Sequence, residues 1–160
     1  MTPGFVHLHV HSEYSLVDGV ARIKPLVKGV AASGMPAVAL TDQSNMFALV
    51  RFYKAAVAAG VKPIAGADVW VHNPHDVQKP DRLVLLVQNQ AGYRNLTELV
   101  SRSYREGQHL GVPMLESEWF TAESTEGLIA LSGGRDGDVG RALLAGNRER
   151  DAALLDCNSY

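Results

Sequence analysis

Residues 36–71 read PAVALTDQSNMFALVRFYKAAVAAGVKPIAGADVWV. Two apolar runs of strand length, at 36–41 and 62–71, enclose a stretch in which apolar residues recur at helical spacing. The spacing predicts a helix that Asn45 caps and Gly60 ends, with a buried face that carries Met46, Leu49, Val50, Tyr53 and Val57. A strand, a helix and a strand in this order are typical of a parallel pair joined by a crossover.

The same alternation continues on both sides of this unit. It predicts further strands at 5–10, 83–87 and 127–131, and further helices at 20–31, 93–104, 138–144 and 147–156. Such alternation favours an α/β fold with mainly parallel strands and crossover helices, as an open sheet or a closed barrel. In both forms functional groups gather at the carboxyl ends of the strands, near which His11, Asp42 and Asp68 fall.

Three histidines alternate along the first predicted strand. His7, His9 and His11 are two residues apart, so their side chains are expected on one face. An imidazole on a buried face needs a polar partner or a metal ion. The pattern therefore indicates a strand that carries metal ligands, or the remains of one. For His7 alone, a hydrogen-bonded core position is favoured over a ligand role.

Composition narrows the class of protein. The chain has 160 residues, of which 46% are apolar, and we treat 1–160 as one domain with a buried core. A net charge of −2 gives no broad basic surface for nucleic acid. The single cysteine, Cys157, excludes an internal disulfide. No signal peptide or membrane-spanning run is recognised, so we expect a cytoplasmic protein without membrane contact.

Three other patterns have ordinary structural explanations. His72 and His75 form a short His-x-x-His pattern on a polar loop, and without carboxylate support for a metal site they are expected on the surface. The glycine-rich stretch at 133–140 lacks the Lys-Ser/Thr ending of a phosphate loop, so a strand-to-helix turn with an aspartate at the helix start explains it better. Asp18 precedes Gly19, and the pair is either a simple turn or the source of a ligand.

Five phrases together resemble the polymerase and histidinol phosphatase (PHP) domain family. Three are HVHS at 9–12, LTDQ at 40–43 and GVKPIAGAD at 60–68. Two longer ones, GYRNLTELVS at 92–101 and GLIALSGG at 127–134, are similar to the form of this domain at the N-terminus of bacterial replicative DNA polymerase III alpha subunits. The resemblance covers about residues 5–150. It implies an incomplete PHP-type distorted (β/α)7 barrel, in a chain that we expect to be either truncated or altered in reading frame.

The resemblance also implies metal ligands. Active family members hold up to three ions and hydrolyse phosphoesters. His9, His11 and Asp18 match ligand positions, and Asp68 stands where the family has glutamate. Asp42 matches an aspartate that orients other groups. Three ligand positions are lost: Gln43 and Arg82 replace histidines, and Gly134 replaces a cysteine.

These replacements weaken metal binding. Glutamine is a weak neutral ligand, glycine offers none, and arginine adds a fixed positive charge that repels a divalent ion. We hypothesise that Arg82 takes the place of a metal and pairs with Asp18 or Asp68. The remaining ligands would hold at most one zinc or manganese ion at low occupancy. No catalytic residue is expected in this segment.

The resemblance implies a role in DNA replication. It places the chain in a DNA-directed DNA polymerase, a nucleotidyltransferase whose magnesium-dependent site and DNA contacts lie in other domains. The segment itself is expected to be an inactive scaffold that supports the polymerase within its holoenzyme and docks the proofreading exonuclease subunit. One alternative is an active metal-dependent PHP phosphoesterase or 3'-5' exonuclease. Another is a free-standing metabolic phosphatase, against which the phrases at 92–101 and 127–134 count.

Overall fold

The computed structural model describes residues 4–16, 18–74, 76 and 78–146. In this part of the chain the strands are β1 Ala37–Leu40, β2 Lys62–Val71, β3 Asp81–Val87, β4 Gln108–His109, β5 Val112–Leu115 and β6 Leu128–Ser132. The α-helices are α1 Ile23–Ala32, α2 Leu49–Ala58, α3 Gln90–Arg105, α4 Ala122–Thr125 and α5 Asp138–Leu144. The α/β class is confirmed. The helix predicted at 147–156, together with His75 and Cys157, falls outside the described residues.

One long strand organises the sheet. The strand order is β4-β5-β2-β3-β6, and β1 also pairs with β2. β1 runs parallel to the first half of β2, and β5 pairs in parallel with its last two residues. β3 lies antiparallel to β2 over residues 66–71 and is itself antiparallel to β6. β2 therefore joins the crossover unit at 36–71 to the rest of the protein.

The sheet is mixed, whereas the alternation of elements predicted mainly parallel strands. The pairs β2–β3, β3–β6 and β4–β5 are antiparallel, and only β1–β2 and β2–β5 are parallel. The described connection between β2 and β3, over residues 72–80, contains no helix. A parallel return needs a crossover of about a dozen residues or more, so this short loop brings the chain back antiparallel.

α2 buries a different face from the one predicted. Phe52 and Ala56 are fully buried against β1 and α1, whereas Val50, Tyr53 and Val57 are more than half exposed. The helix begins at Leu49, four residues after Asn45. The Asn45 Nδ2 donates to the carbonyl oxygens of Tyr14 and Gln43, and its Oδ1 accepts a hydrogen bond from Phe47 N at 3.1 Å, so Asn45 holds the turn before the helix instead of capping it. Ala48, Phe52 and Ala56 are spaced by four residues, and the alanines let the helix lie close to the sheet.

The predicted strand at 5–10 is an extended segment rather than a regular strand. Its one bridge pairs His7 with Val38 of β1 in parallel. Two backbone bonds hold it there: the N–H groups of Ala39 and Thr41 donate to the carbonyl oxygens of His7 and Val10, each at 2.9 Å. Few ladder bonds therefore support the segment that carries the histidines.

α3 and β6 meet at two glycines. A Cβ on Gly92, in the first turn of α3, would lie 1.8 Å from the carbonyl oxygen of Gly127. Asn89 caps the helix, and its Oδ1 accepts a hydrogen bond from Gly92 N at 3.1 Å. Gly127 has φ +73°, a conformation that favours glycine. These two residues begin the phrases at 92–101 and 127–134, so both phrases contribute to one backbone contact.

β4 and β5 form a hairpin that the sequence pattern did not predict. The two strands pair antiparallel around Leu110 and Gly111, which both have positive φ. Positive φ at both central residues is the geometry of a type I′ hairpin turn. A two-residue strand gives almost no hydrophobic period, which explains why the pattern did not reveal it.

Among the described residues, β6 pairs only with β3, so the sheet is open at that edge. The same residues include no helix with the length and apolar character that crossing a membrane requires.

Candidate metal centre

Side chains from the extended segment at 5–11 and from β2 meet at one point. His9 and His11 turn to the same side and bring their Nε2 atoms to 3.2 Å. Asp68, in the middle of β2, places Oδ2 2.8 Å from His9 Nε2 and 2.9 Å from His11 Nε2. The structure thus brings together three of the four residues proposed from the sequence as ligands.

The arrangement of these atoms fits a small cation. Their separations of 2.8, 2.9 and 3.2 Å are close to the roughly 3.3 Å between ligands of a tetrahedral zinc ion. The Asp68 side chain is fully buried, and its Oδ1 has no hydrogen-bond partner among the described residues. An unpaired buried carboxylate oxygen is costly. Two imidazoles and a carboxylate form a donor set that zinc accepts, with a fourth position left for water.

Asp18 lies on the opposite side of the His11 ring. Its Oδ1 is 2.8 Å from His11 Nδ1 and also accepts a hydrogen bond from Ser15 Oγ at 2.8 Å. A carboxylate on one ring nitrogen fixes the tautomer and directs the other nitrogen to a metal. In this structure Asp18 therefore orients His11 and lies outside the group formed by His9, His11 and Asp68.

Arg82 fills the space beside Asp68. Its Nε lies 3.1 Å from Asp68 Oδ2, an ion-pair contact in which the N–H does not point at the oxygen. Its Nη2 donates to Gln43 Oε1 at 2.8 Å and lies 3.5 Å from Asp18 Oδ2. The guanidinium also stacks over the Trp70 ring, 5.0 Å from its centre. One cation thus contacts both carboxylates that the sequence analysis named as its partners.

The other positions singled out in the sequence have structural roles. Gln43 donates from Nε2 to the backbone oxygen of Asp68 at 3.2 Å, so its amide joins the site to β2. Asp42 accepts hydrogen bonds from the backbone N–H and the hydroxyl of Ser12, at 2.5 and 2.8 Å, and so holds the turn after His11. Gly134 begins a short 3-10 helix after β6 with φ +59° and contributes no donor.

The electrostatics of the site follow from these contacts. Burial alone would lower the pKa of His11, but hydrogen bonds to Asp68 and Asp18 outweigh it and raise that pKa. Burial alone would raise the pKa of Asp68, but hydrogen bonds from His11 and His9 and the charge of Arg82 lower it overall. The pKa of Asp42 is raised, chiefly because the carboxyl is buried. Asp68 is therefore anionic, and His11 binds a proton readily when no metal ion competes.

The remaining described histidines do not join the site. His7 is exposed and touches the edge of Phe5, so the core position expected for it is wrong. His72 does have a carboxylate neighbour, because its Nδ1 lies 3.1 Å from Glu116 Oε2 across the β2–β5 pair. His109 lies on β4, next to the hairpin turn.

Sequence reasoning missed two residues that shape the site. Trp70 faces Arg82 across the β2–β3 register, and its ring supports the guanidinium. Ser15 accepts a hydrogen bond from Gln43 N at 3.0 Å while its hydroxyl donates to Asp18. The antiparallel register of β2 and β3 would have revealed Trp70, but a mainly parallel sheet was expected. No sequence signal points to Ser15.

The chain is similar to known proteins along most of its length. The family model described as the PHP domain matches residues 7–158. DNA polymerase III subunit alpha of Pseudomonas aeruginosa is 55% identical over 97% of this chain and 13% of its own length, and that of Escherichia coli K12 is 50% identical over 96% and 13%. Among solved structures, an amidohydrolase from Chromobacterium violaceum aligns with a TM-score of 0.48 and 18% identity, over 94% of this chain and 54% of that chain.

The chain thus spans about an eighth of the length of these curated relatives. Their names describe proteins that are much longer than this chain. The match to the family model, in contrast, extends over nearly the whole chain, and it includes His9, His11 and Asp68. The chain therefore belongs to the PHP domain family.

Proposed function

We propose that this chain is the N-terminal PHP segment of a DNA polymerase III alpha subunit and serves in DNA replication. Support comes from the 43–55% identity to DNA polymerase III alpha subunits. The parent would be a DNA-directed DNA polymerase that works in the cytoplasm. Its magnesium-dependent chemistry and its DNA contacts would belong to regions other than this segment.

Within that parent, we propose that the segment is a scaffold rather than a catalyst. The observation that carries the proposal is the position of Arg82, whose guanidinium contacts Asp68, Asp18 and Gln43 at 2.8–3.5 Å. A guanidinium does not dissociate and stays charged at physiological pH. Its charge offsets the two carboxylates at the place where two-metal chemistry would require a second ion. The net effect is a cross-linked site with room for one ion at most.

The scaffold would support the polymerase and dock the proofreading exonuclease subunit of the holoenzyme. A segment without its own phosphoesterase activity is consistent with editing by a separate subunit. If His9, His11 and Asp68 bind a zinc or manganese ion, that ion would supply a Lewis acid and a water of lowered pKa. The residues themselves would hold and orient it, with Asp18 fixing the His11 ring.

The second candidate is an active metal-dependent PHP phosphoesterase or 3'-5' exonuclease. The observation in its favour is the group formed by His9, His11 and Asp68, whose ligand atoms all lie within 4.8 Å of one another. One experiment separates the two candidates: metal analysis of the complete subunit, together with phosphoester turnover on a 3'-labelled oligonucleotide. If the segment is a scaffold, any phosphoester turnover that is measured should be unchanged by His9→Ala. Turnover that needs both metal and His9 would establish the enzyme instead.

Removing the charge of Arg82 should strengthen metal binding. We expect Arg82→His to raise zinc affinity by at least about tenfold, because a repelling cation is replaced by a possible ligand. Arg82→Met, which keeps an unbranched side chain over Trp70, should give a smaller gain. The zinc affinity of both variants is measured by competition with a fluorescent chelator. The control is Arg135→Met, which removes an arginine from an exposed ion pair. Equal affinity in all of these proteins would show that Arg82 does not compete with a metal.

Metal binding should depend on pH through His11. Its raised pKa means that a proton occupies the ring as the pH falls through that pKa, so zinc affinity should fall by roughly tenfold for each pH unit below it. Asp18→Asn removes one of the charges that raise this pKa and should move the midpoint to lower pH. Chelator competition between pH 5.5 and 8.5 provides the measurement. An affinity that does not change over this range would mean that His11 is not a ligand.

A further inference from the structure

The outward face of α2 carries large apolar side chains. Val50, Tyr53 and Val57 are 67%, 57% and 55% exposed, and Phe47, one turn before Val50, is 67% exposed. Positions 50, 53 and 57 are spaced by three and four residues, so they form one stripe along the helix. We call these four residues the α2 stripe. The core of the protein is packed by the opposite face, through Phe52 and Ala56.

The stretch of chain that forms the α1–α2 layer, on which the α2 stripe lies, is rich in basic residues, of which Arg22 pairs with Glu13 at 3.8 Å. Residues 19–66 contain six cations and a single acid: Arg22, Lys24, Lys28, Arg51, Lys54, Lys62 and Asp42. Asp42 is 1% exposed and bonded to Ser12, so it does not offset these charges at the surface. The chain as a whole has a net charge of −2. Charge is therefore segregated, and the α1–α2 layer is its positive part.

These two properties together favour one class of occupant. A second copy of the same surface would bring Arg51 and Lys54 against their own equivalents with no acid between them, which opposes a two-fold dimer. A nucleic acid backbone would meet the basic residues but would gain nothing from valine and phenylalanine, which offer no hydrogen bond to phosphate. A protein segment with an apolar row between acidic residues satisfies both the stripe and its rim.

We infer that the α2 stripe, with its basic rim, is the docking surface for an apolar, acid-flanked segment of a partner protein. Tyrosine and phenylalanine lose little entropy when they are ordered and dominate the energetics of such interfaces. Lys54 lies on the same exposed side of α2 and supplies charge at the rim. This inference rests on the proposed scaffold role, because it names the surface by which the scaffold would hold its partner.

The experiment uses the complete alpha subunit and, as the probe, the purified exonuclease subunit of the same organism. Binding is followed by surface plasmon resonance at several salt concentrations. The double variant Val50→Asp/Tyr53→Asp should weaken binding by at least about thirtyfold, since it places charge in the centre of the interface. Lys54→Glu should weaken binding several-fold and reduce its salt dependence. Leu143→Asp, on α5 and 57% exposed, is the matched control and should change binding less than about twofold.

The possible results separate the surface from the scaffold role. The side chains of Val50, Tyr53 and Leu143 are more than half exposed, and that of Lys54 is exposed as well. The thermal unfolding midpoint of each variant should therefore stay close to that of wild type. If wild type binds the exonuclease and the stripe variants bind equally well, the surface is wrong and the scaffold role stands. If wild type does not bind it, both are overturned. Loss of binding to duplex DNA or to anionic lipid vesicles, with exonuclease binding unchanged, would also overturn the inference.

Discussion

Asp68→Asn is expected to lower the free energy of unfolding of the chain by about 3 kcal/mol, the range found when one partner of a buried ion pair is removed. Oδ2 of this fully buried carboxylate contacts His9, His11 and Arg82 within 3.1 Å. The neutral amide leaves a guanidinium that is only 19% exposed without its main counter-charge. The same change removes the anionic ligand, so zinc binding should be lost as well.

Urea unfolding followed by far-ultraviolet circular dichroism measures this loss. Asp136→Asn is the matched control, because the 3.8 Å contact between Asp136 and Arg135 is exposed and should be worth less than about 0.5 kcal/mol. The pKa of Asp68 is lowered, so its contribution is fully present above the ordinary aspartate pKa and is lost as the pH falls through the folded value. The difference in free energy of unfolding between Asp68→Asn and wild type should therefore become smaller at acidic pH. A loss below about 1 kcal/mol at pH 7 would show that Arg82 and the histidines do not depend on this charge.

Gly92→Ala is the second large effect that we expect, with a loss of about 3 kcal/mol or failure to fold. The new Cβ would lie 1.8 Å from the carbonyl oxygen and 2.4 Å from the carbonyl carbon of Gly127. Both atoms belong to backbone that positions the start of β6, so neither moves cheaply. Helix propensity alone would predict the opposite sign, because alanine favours helices over glycine. The contact therefore decides the result.

Gly29→Ala is the control for that argument. Gly29 lies on α1 in an exposed position, and a Cβ there would meet nothing within 4 Å. Alanine should stabilise the chain by about 0.5–1 kcal/mol at this position. The pair thus separates helix propensity from steric contact in one protein. If Gly92→Ala and Gly29→Ala shift the unfolding midpoint in the same direction, the close approach between α3 and β6 is not maintained in solution.

Much of the fold follows from local patterns. β2 and α5 begin and end at the residues that their apolar runs predicted, because polar residues or glycine bound each run. The buried face of α2 was wrong because hydrophobicity ranked Val50, Tyr53 and Val57 above alanine, whereas close packing on the sheet required small residues. Strand direction was also wrong, since period alone does not tell an antiparallel return from a crossover.

The site was predictable to the extent that residue types specify it. The alternation of His9 and His11 indicated ligands on one side, and the replacement at Arg82 led to the hypothesis that it pairs with carboxylates. The role of Asp18 depended on geometry, because only the structure shows which nitrogen of His11 it contacts. The cation–π contact of Trp70 depended on the antiparallel register of β2 and β3. The roles that the sequence did not predict are those that depend on how distant parts of the chain pair in the fold.

The Arg82 guanidinium between Asp18 and Asp68 also affects how this segment would respond to a shortage of trace metals. A zinc-held cross-link weakens when a cell is starved of trace metals, since free ion and bound ion are in equilibrium. An arginine is supplied by translation itself and accompanies every copy of the chain. A protein built this way keeps this cross-link when zinc is scarce, so this part of its fold would not depend on the cell's zinc supply.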